Sequence, residues 1–311
     1  LIVLCISSIL FATEIIPLAA TAMGSAIALG LLGVLTPQQV FSGLSNSTVV
    51  LFAGMFVIGA AMFQTGLAQK IGVTVVKAAG TGEKRLMFAL VLVTVVLSAI
   101  SSNTATVACL LPVVVQICAA AKLSASSQLM SLAVAANVGG TITLIGTPPN
   151  ILMSATLENS GMTPFGFFEF AWIGIPLSLM GMLYMMTIGR RLCPHDNVDT
   201  VASDSTSEAP SNSKKMMVCA GILCGVVLAM VFEKQINVPM HVSSVIGALA
   251  CVLTGCLSEK QAYKGVDWTT IFLFAGMLPL ASAMDKTGAG GMIANTVVNI
   301  CLLYTSPSPR D

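Results

Sequence analysis

Charge is what this sequence lacks most. Only 9% of its 311 residues are Asp, Glu, Lys or Arg, against roughly a quarter in a soluble domain, so a folded water-soluble surface is hard to build from it. The two signs nearly cancel, with 14 Lys and Arg against 13 Asp and Glu. That leaves no basic face for nucleic acid and no acidic tail for a basic partner. Histidine is scarce: His195 falls in a polar stretch and His241 near the end of an apolar one, and both are expected to be structural. Neither H-E-x-x-H nor G-x-S-x-G occurs, so the ligand sets and nucleophiles of membrane-embedded hydrolases are missing and an enzyme is not expected. The nine cysteines form no C-x-x-C pair and no Cys/His cluster; they are read as buried, reduced, small apolar side chains.

What remains is apolar. Hydrophobic residues make up 56% of the chain and its mean hydropathy is +0.92, which points to an all-α polytopic membrane protein. A helix needs about 20 mostly apolar residues to span hydrocarbon. Segments near 1–13, 18–35, 47–65, 128–157, 168–189, 216–232, 240–257 and 269–285 are eight candidate spans on that measure. A further apolar stretch, 86–121, is interrupted by Ser101-Ser102-Asn103-Thr104. Such a break would leave backbone groups unpaired in lipid, so the stretch is expected to be a hairpin that enters and leaves on one side. Loop charges agree with this layout, because Lys and Arg concentrate on the cytoplasmic side. One side collects Lys70, Lys77, Lys84, Arg85, Lys122, Arg190, Arg191, Lys214, Lys215, Lys260 and Lys264, the other only Lys234 and Lys286. The hairpin then opens from the cytoplasm, and 190–215, with Asp196, Asp199, Asp204 and Glu208, is a cytoplasmic linker.

Shifting the chain by 222 residues places Leu51-Phe52-Ala53-Gly54-Met55 on Leu273-Phe274-Ala275-Gly276-Met277. Pro17, Gly33, Leu35, Gln39 and Gly43 meet Pro239, Gly255, Leu257, Gln261 and Gly265, and Met62, Thr65 and Gly66 meet Met284, Thr287 and Gly288. An odd number of crossings separates the copies, so they are expected to be inverted in the membrane. Residues 1–189 form the first copy and 216–300 the start of the second. Inverted repeats with broken helices meeting at the midplane are a secondary-transporter architecture, whereas a channel would need a continuous pore.

Two breaks carry polar groups. In the first, Ser98 and Ser102 are four residues apart, one helical turn, which would put both hydroxyls on one face, and Asn103 adds a carbonyl oxygen and an amide donor. Oxygens at an opened helix end suit a small hard cation; hydroxyl, amide and free backbone N–H groups suit an oxyanion. The plainer alternative is that these groups cap a turn or bond a neighbouring helix. In the second, Asn137 to Asn150, Pro148 and Pro149 remove two backbone donors, while Gly139, Gly140 and Gly146 are expected to take unusual backbone angles. The helix is predicted to unwind there, with carbonyls around Gly146 free for a cation and Thr147 and Asn150 able to donate to an anion. A simple proline kink is the alternative. No Asp, Glu, Lys, Arg or His lies deep within a span; Glu14, Glu169 and Asp285 fall near ends. Proton-driven carriers usually place an ionisable relay inside the membrane, so sodium is the expected coupling ion.

With Ser102-Asn103-Thr104 in a hairpin and Gly146-Thr147-Pro148-Pro149-Asn150 in the next helix, residues 1–300 resemble the divalent anion:sodium symporter family. The resemblance implies two inverted repeats, each with a re-entrant hairpin and an unwound helix, moving as an elevator, usually as a homodimer in the plasma (inner) membrane. It also implies Na+ as coupling ion and a small anionic substrate: a di- or tricarboxylate, or else sulfate or another inorganic oxyanion. Position by position, Ser98, Ser102, Asn103 and the backbone of Gly146 match the family's first sodium site. Asn103 and Thr104 match half of its substrate clamp, with Thr147 close by. The second hairpin and second unwound helix of the family pattern are not reached, because the second repeat stops after Asn299. The chain also opens inside an apolar run without Met, so it is expected to be truncated. Residues 301–311 break the preceding pattern, resemble a translated sequencing adapter, and are excluded from the fold.

Overall fold

The computed structural model describes residues 2–79, 82–121, 125–159, 161–193 and 213–293. Most of the linker expected over 190–215, His195 and the tail 301–311 lie outside the described residues. The structure is helical, with no strand among the described residues. In chain order the helices are α1 (Ile2–Thr13), α2 (Leu18–Leu31), α3 (Pro37–Phe41), α4 (Ser47–Gln64), α5 (Leu67–Ala79), α6 (Glu83–Ile100), α7 (Asn103–Ala121) and α8 (Ala125–Gly140). They continue as α9 (Pro148–Asn159), α10 (Ala171–Tyr184), α11 (Arg190–Leu192), α12 (Ser213–Val231), α13 (Glu233–Ile236), α14 (Met240–Leu253), α15 (Glu259–Gly265) and α16 (Trp268–Thr287). A π-helical turn, Met185–Gly189, extends α10.

Among the described residues, four helical stretches are long and apolar enough to cross a membrane: Pro37–Gln64, Ala171–Gly189, Ser213–Val231 and Trp268–Thr287. This is fewer than the eight apolar segments of the sequence, for a local reason. The segments 18–35 and 240–257 each turn back at a glycine with positive φ, Gly33 (74°) and Gly255 (70°). That leaves helices of 14 residues, about 21 Å at 1.5 Å per residue, against about 30 Å of hydrocarbon. The 128–157 segment divides into α8 and α9. The protein is an integral, multi-pass membrane protein, and many large apolar side chains face outward, Trp172 and Leu253 each at 85% exposure.

The described residues form two compact units, one joining 2–50 to 267–293 and the other made of those between 51 and 266. In the first, α2 packs on α16 over a core of Ala26, Leu29, Leu35, Val40, Leu280 and Ala283. The contact is close: a methyl group on Gly276 would sit 2.7 Å from the Ala22 carbonyl oxygen. In the second, α8 lies against α6, α7 and α10, with Met87, Val91, Val95, Ala135 and Met185 buried between them. There a methyl on Gly54 of α4 would sit 2.7 Å from the Ser244 carbonyl carbon in α14. Gly54 and Gly276 are 222 residues apart, as are Ala22 and Ser244, so one crossing is built twice. The units therefore do not coincide with the two sequence copies; each pairs a helix of one copy with a helix of the other.

The turns repeat as well. Thr36 with Gln39 and Ser258 with Gln261 form matching capping boxes, which hold two orphan N–H groups at each helix start. Gly66 and Gly288, at φ 75° and 68°, both lie in the left-handed region that glycine takes without a Cβ penalty.

Candidate functional site

Helix α6 ends at Ile100 because Ser101 is extended, with φ −134° and ψ 171°, and α7 restarts at Asn103. Ser102 therefore does not share a helical face with Ser98, as four-residue spacing alone predicts. Its carbonyl instead accepts from the Thr106 N–H and hydroxyl, both at 3.0 Å, and so caps α7. Ser98 is fully buried. Its Oγ lies 2.6 Å from both Asn103 Oδ1 and the Ala136 carbonyl oxygen, which ties the hairpin tip to α8. Asn103 Nδ2 donates to Asn137 Oδ1 at 3.4 Å. Thr104 is exposed, one residue further along.

The second break runs over 141–147. Pro148 and Pro149 occupy the first two positions of α9, where a missing N–H costs nothing. The unwound segment is tied down on all sides. Thr143 Oγ1 donates to the Ala99 carbonyl at the end of α6, and Leu144 N–H to the Phe167 carbonyl at 3.0 Å. Asn150 Nδ2 donates one hydrogen to the Thr143 carbonyl at 2.9 Å, bracing the break from within and leaving its second amide hydrogen to donate elsewhere. Behind it, Gly174 of α10 packs on the Thr141 and Ile142 backbone.

Gly139, Gly140 and Gly146 do not take the unusual angles expected from the sequence; none is among the positive-φ residues. They are small because backbones touch. A Cβ on Gly139 would strike the Val95 backbone, and one on Gly146 the Gly140 carbonyl. One on Gly140 would strike Asn103 Oδ1, with the Gly146 carbonyl oxygen 2.9 Å and the Thr147 methyl 2.7 Å away. Ser98, Asn103, Gly140, Gly146 and Thr147 thus converge, with Asn137, Thr143 and Asn150 as supports. Asn137 and Gly140 belong to the sequence motif but their partners do not, and Thr143 is given no part in it, because these are contacts across sequence separations of 34 to 44 residues. No ionisable side chain belongs to the group. Two helix C-termini (Ile100, Gly140) and two N-termini (Asn103, Pro148) meet around it, and their aligned peptide dipoles present partial negative and positive charge side by side.

The profile of the citrate transporter family, CitMHS, matches residues 8–306. The chain belongs to that family. Among its relatives, an uncharacterized transporter of Escherichia coli, YfbS, is 36% identical over 60% of this chain and 30% of its own length. An uncharacterized transporter of Mycobacterium tuberculosis is 26% identical over 94% of this chain and 69% of its own length. A protein of Caenorhabditis elegans named sodium-dependent high-affinity dicarboxylate transporter 3 is 26% identical over 95% of this chain and 63% of its own length. The chain thus spans between about a third and two thirds of these curated relatives. The family and these relatives are named as transporters, not as enzymes.

Proposed function

We propose that the chain belongs to a sodium-coupled symporter of divalent anions, with di- and tricarboxylates as substrates. The observation that carries this is the meeting of four helix ends around uncharged oxygen and amide groups. The α6 and α8 ends, with Ser98 Oγ, Asn103 Oδ1 and the Gly140 and Gly146 carbonyls, supply only oxygens, the ligand type a hard cation takes. The α7 start with Asn103 and Thr104, and the Thr147 hydroxyl just ahead of the prolines of α9, supply donors for a carboxylate. An anion and a cation bound side by side cancel each other's charge, which favours taking both across together. With no titratable side chain in the group, a protein proton relay has nothing to run on. The name of the nematode relative supports sodium and dicarboxylate; the inverted arrangement, the elevator movement and the homodimer follow from the family resemblance.

Uptake of labelled succinate, citrate and sulfate by the full-length carrier in proteoliposomes tests this. A sodium gradient should drive saturable uptake of the carboxylates. Sulfate uptake without carboxylate uptake would favour the inorganic-oxyanion alternative, and uptake indifferent to sodium but driven by a proton gradient would overturn the coupling.

A further inference from the structure

Away from the helix breaks, the second unit holds a cleft of about 410 Å³. It lies where α4 ends (Gln64), α12 begins (Lys215), α14 ends (Gly255, Leu257) and α15 begins (Ser258, Gln261). The Cys256 thiol, 3.5 Å from the Lys215 carbonyl oxygen, holds the α12 start against the α14 end. Among the described residues no acidic side chain lines the cleft, and Lys215 is its one cation.

The side-chain amides are turned to donate. Gln261 Oε1 is spent on the Ser258 N–H (2.9 Å) and hydroxyl (3.0 Å), and Gln64 Oε1 accepts from Gln261 Nε2 at 3.5 Å. With both carbonyl oxygens engaged, the Gln64 amide hydrogens, the second Gln261 amide hydrogen and the Lys215 ammonium are left to meet a ligand. The equivalent turn in the first unit is closed instead. There Lys286 stands in the position of Gln64, and its Nζ donates to Gln39 Oε1 at 2.7 Å.

We propose that this cleft binds the phosphate headgroup of an anionic membrane lipid. Its position selects a lipid over a soluble ion. It sits at the polar ends of two apolar helices, beside α15, which carries Lys260, Lys264 and the exposed Tyr263, an aromatic of the kind enriched at headgroup depth. From its rim the helices continue as exposed apolar surface, Met217 on α12 and Leu249 and Leu253 on α14, along which acyl chains can lie while the phosphate meets Lys215.

The test is native mass spectrometry of the purified full chain in detergent, titrated with dioleoyl phosphatidylglycerol or dioleoyl phosphatidylcholine, with and without millimolar inorganic phosphate. Phosphatidylglycerol adducts should dominate. Lys215→Gln should weaken them about fivefold, the value of one lysine near an anionic lipid surface. Gln64→Leu should weaken them without changing the charge, which keeps the test alive if Lys215→Gln does not fold. Lys70→Gln, outside the cleft, should leave them as they are. Equal binding of the two lipids, or wild-type phosphatidylglycerol binding by both cleft variants, would overturn the proposal. Displacement of the lipid by inorganic phosphate would reassign the cleft to a soluble phosphate.

Discussion

A hydroxyl carries one proton, yet Ser98 Oγ has two carbonyl-type oxygens at 2.6 Å, Asn103 Oδ1 and Ala136 O. In the proposed site these three close oxygens would form a cation corner with Ser98 as one ligand among several, whereas Asn103 would also offer its amide to the anion side. Ser98→Ala should therefore raise the sodium concentration for half-maximal uptake roughly tenfold, for about 1.4 kcal/mol of lost interaction. Asn103→Ala should abolish sodium-driven uptake altogether in protein that reaches the membrane; wild-type transport by that variant would remove the site. Gln128 gives the opposite kind of prediction. It is fully buried, neither amide atom has a partner, and it borders a void of about 10 Å³ lined by Leu86, Leu90, Val114 and Ile117. Gln128→Leu removes an unsatisfied polar group, so it should stabilise the protein by about 1–3 kcal/mol, seen as a higher thermal midpoint; a lower one would mean the amide is satisfied in the membrane. Ser98 and Asn103 could be singled out in the sequence because polar residues stand out in an apolar run. Their orientation could not, since Ser101 breaks the helix on which Ser98 and Ser102 were to share a face.

At the scale of elements, the helix boundaries at the site were legible where residue chemistry forces them. Prolines stacked at 148 and 149 start α9, and the polar run at 101–104 separates α6 from α7. Helix lengths were less legible, because 18–35 and 240–257 are apolar throughout and only the backbone at Gly33 and Gly255 shows where each helix stops. The glycines of the break were misread for a related reason: composition cannot distinguish a glycine needed for its dihedral angles from one needed for a backbone contact 40 residues away. The hairpin supplies a test of sidedness. Ser101 at its tip is buried, with its Oγ 3.2 Å from where a Gly59 methyl would be, so a cysteine there is a poor reporter. Thr104 is exposed. In a cysteine-free, inward-facing carrier, Thr104→Cys should react with an impermeant thiol reagent from the cytoplasm, and sodium with substrate should slow the reaction. Labelling from the outside alone would reverse the assigned orientation.

For the whole molecule, the doubled crossing makes a symmetric prediction. Gly54 against Ser244 and Gly276 against Ala22 are equivalent contacts in separate units, and a branched side chain fits neither. Gly54→Val and Gly276→Val should each destabilise by about 1–3 kcal/mol, and the double variant by about the sum, as expected for independent sites; a large cost from one and none from the other would mean that the repeat is only a likeness of sequence. The exchange of helices between copies also imposes an order on synthesis. Helix α2 leaves the ribosome early, with small residues on the face that will be buried and Thr21 Oγ1 without a partner, but α16, on which it packs, emerges about 250 residues later. At roughly 5–20 residues per second, α2 waits about 12–50 s for the helix that completes its unit. Through that interval a 14-residue helix, shorter than the hydrocarbon is thick, stands without the face it packs on, so the doubled crossing sets a minimum delay between the appearance of α2 and the completion of its unit.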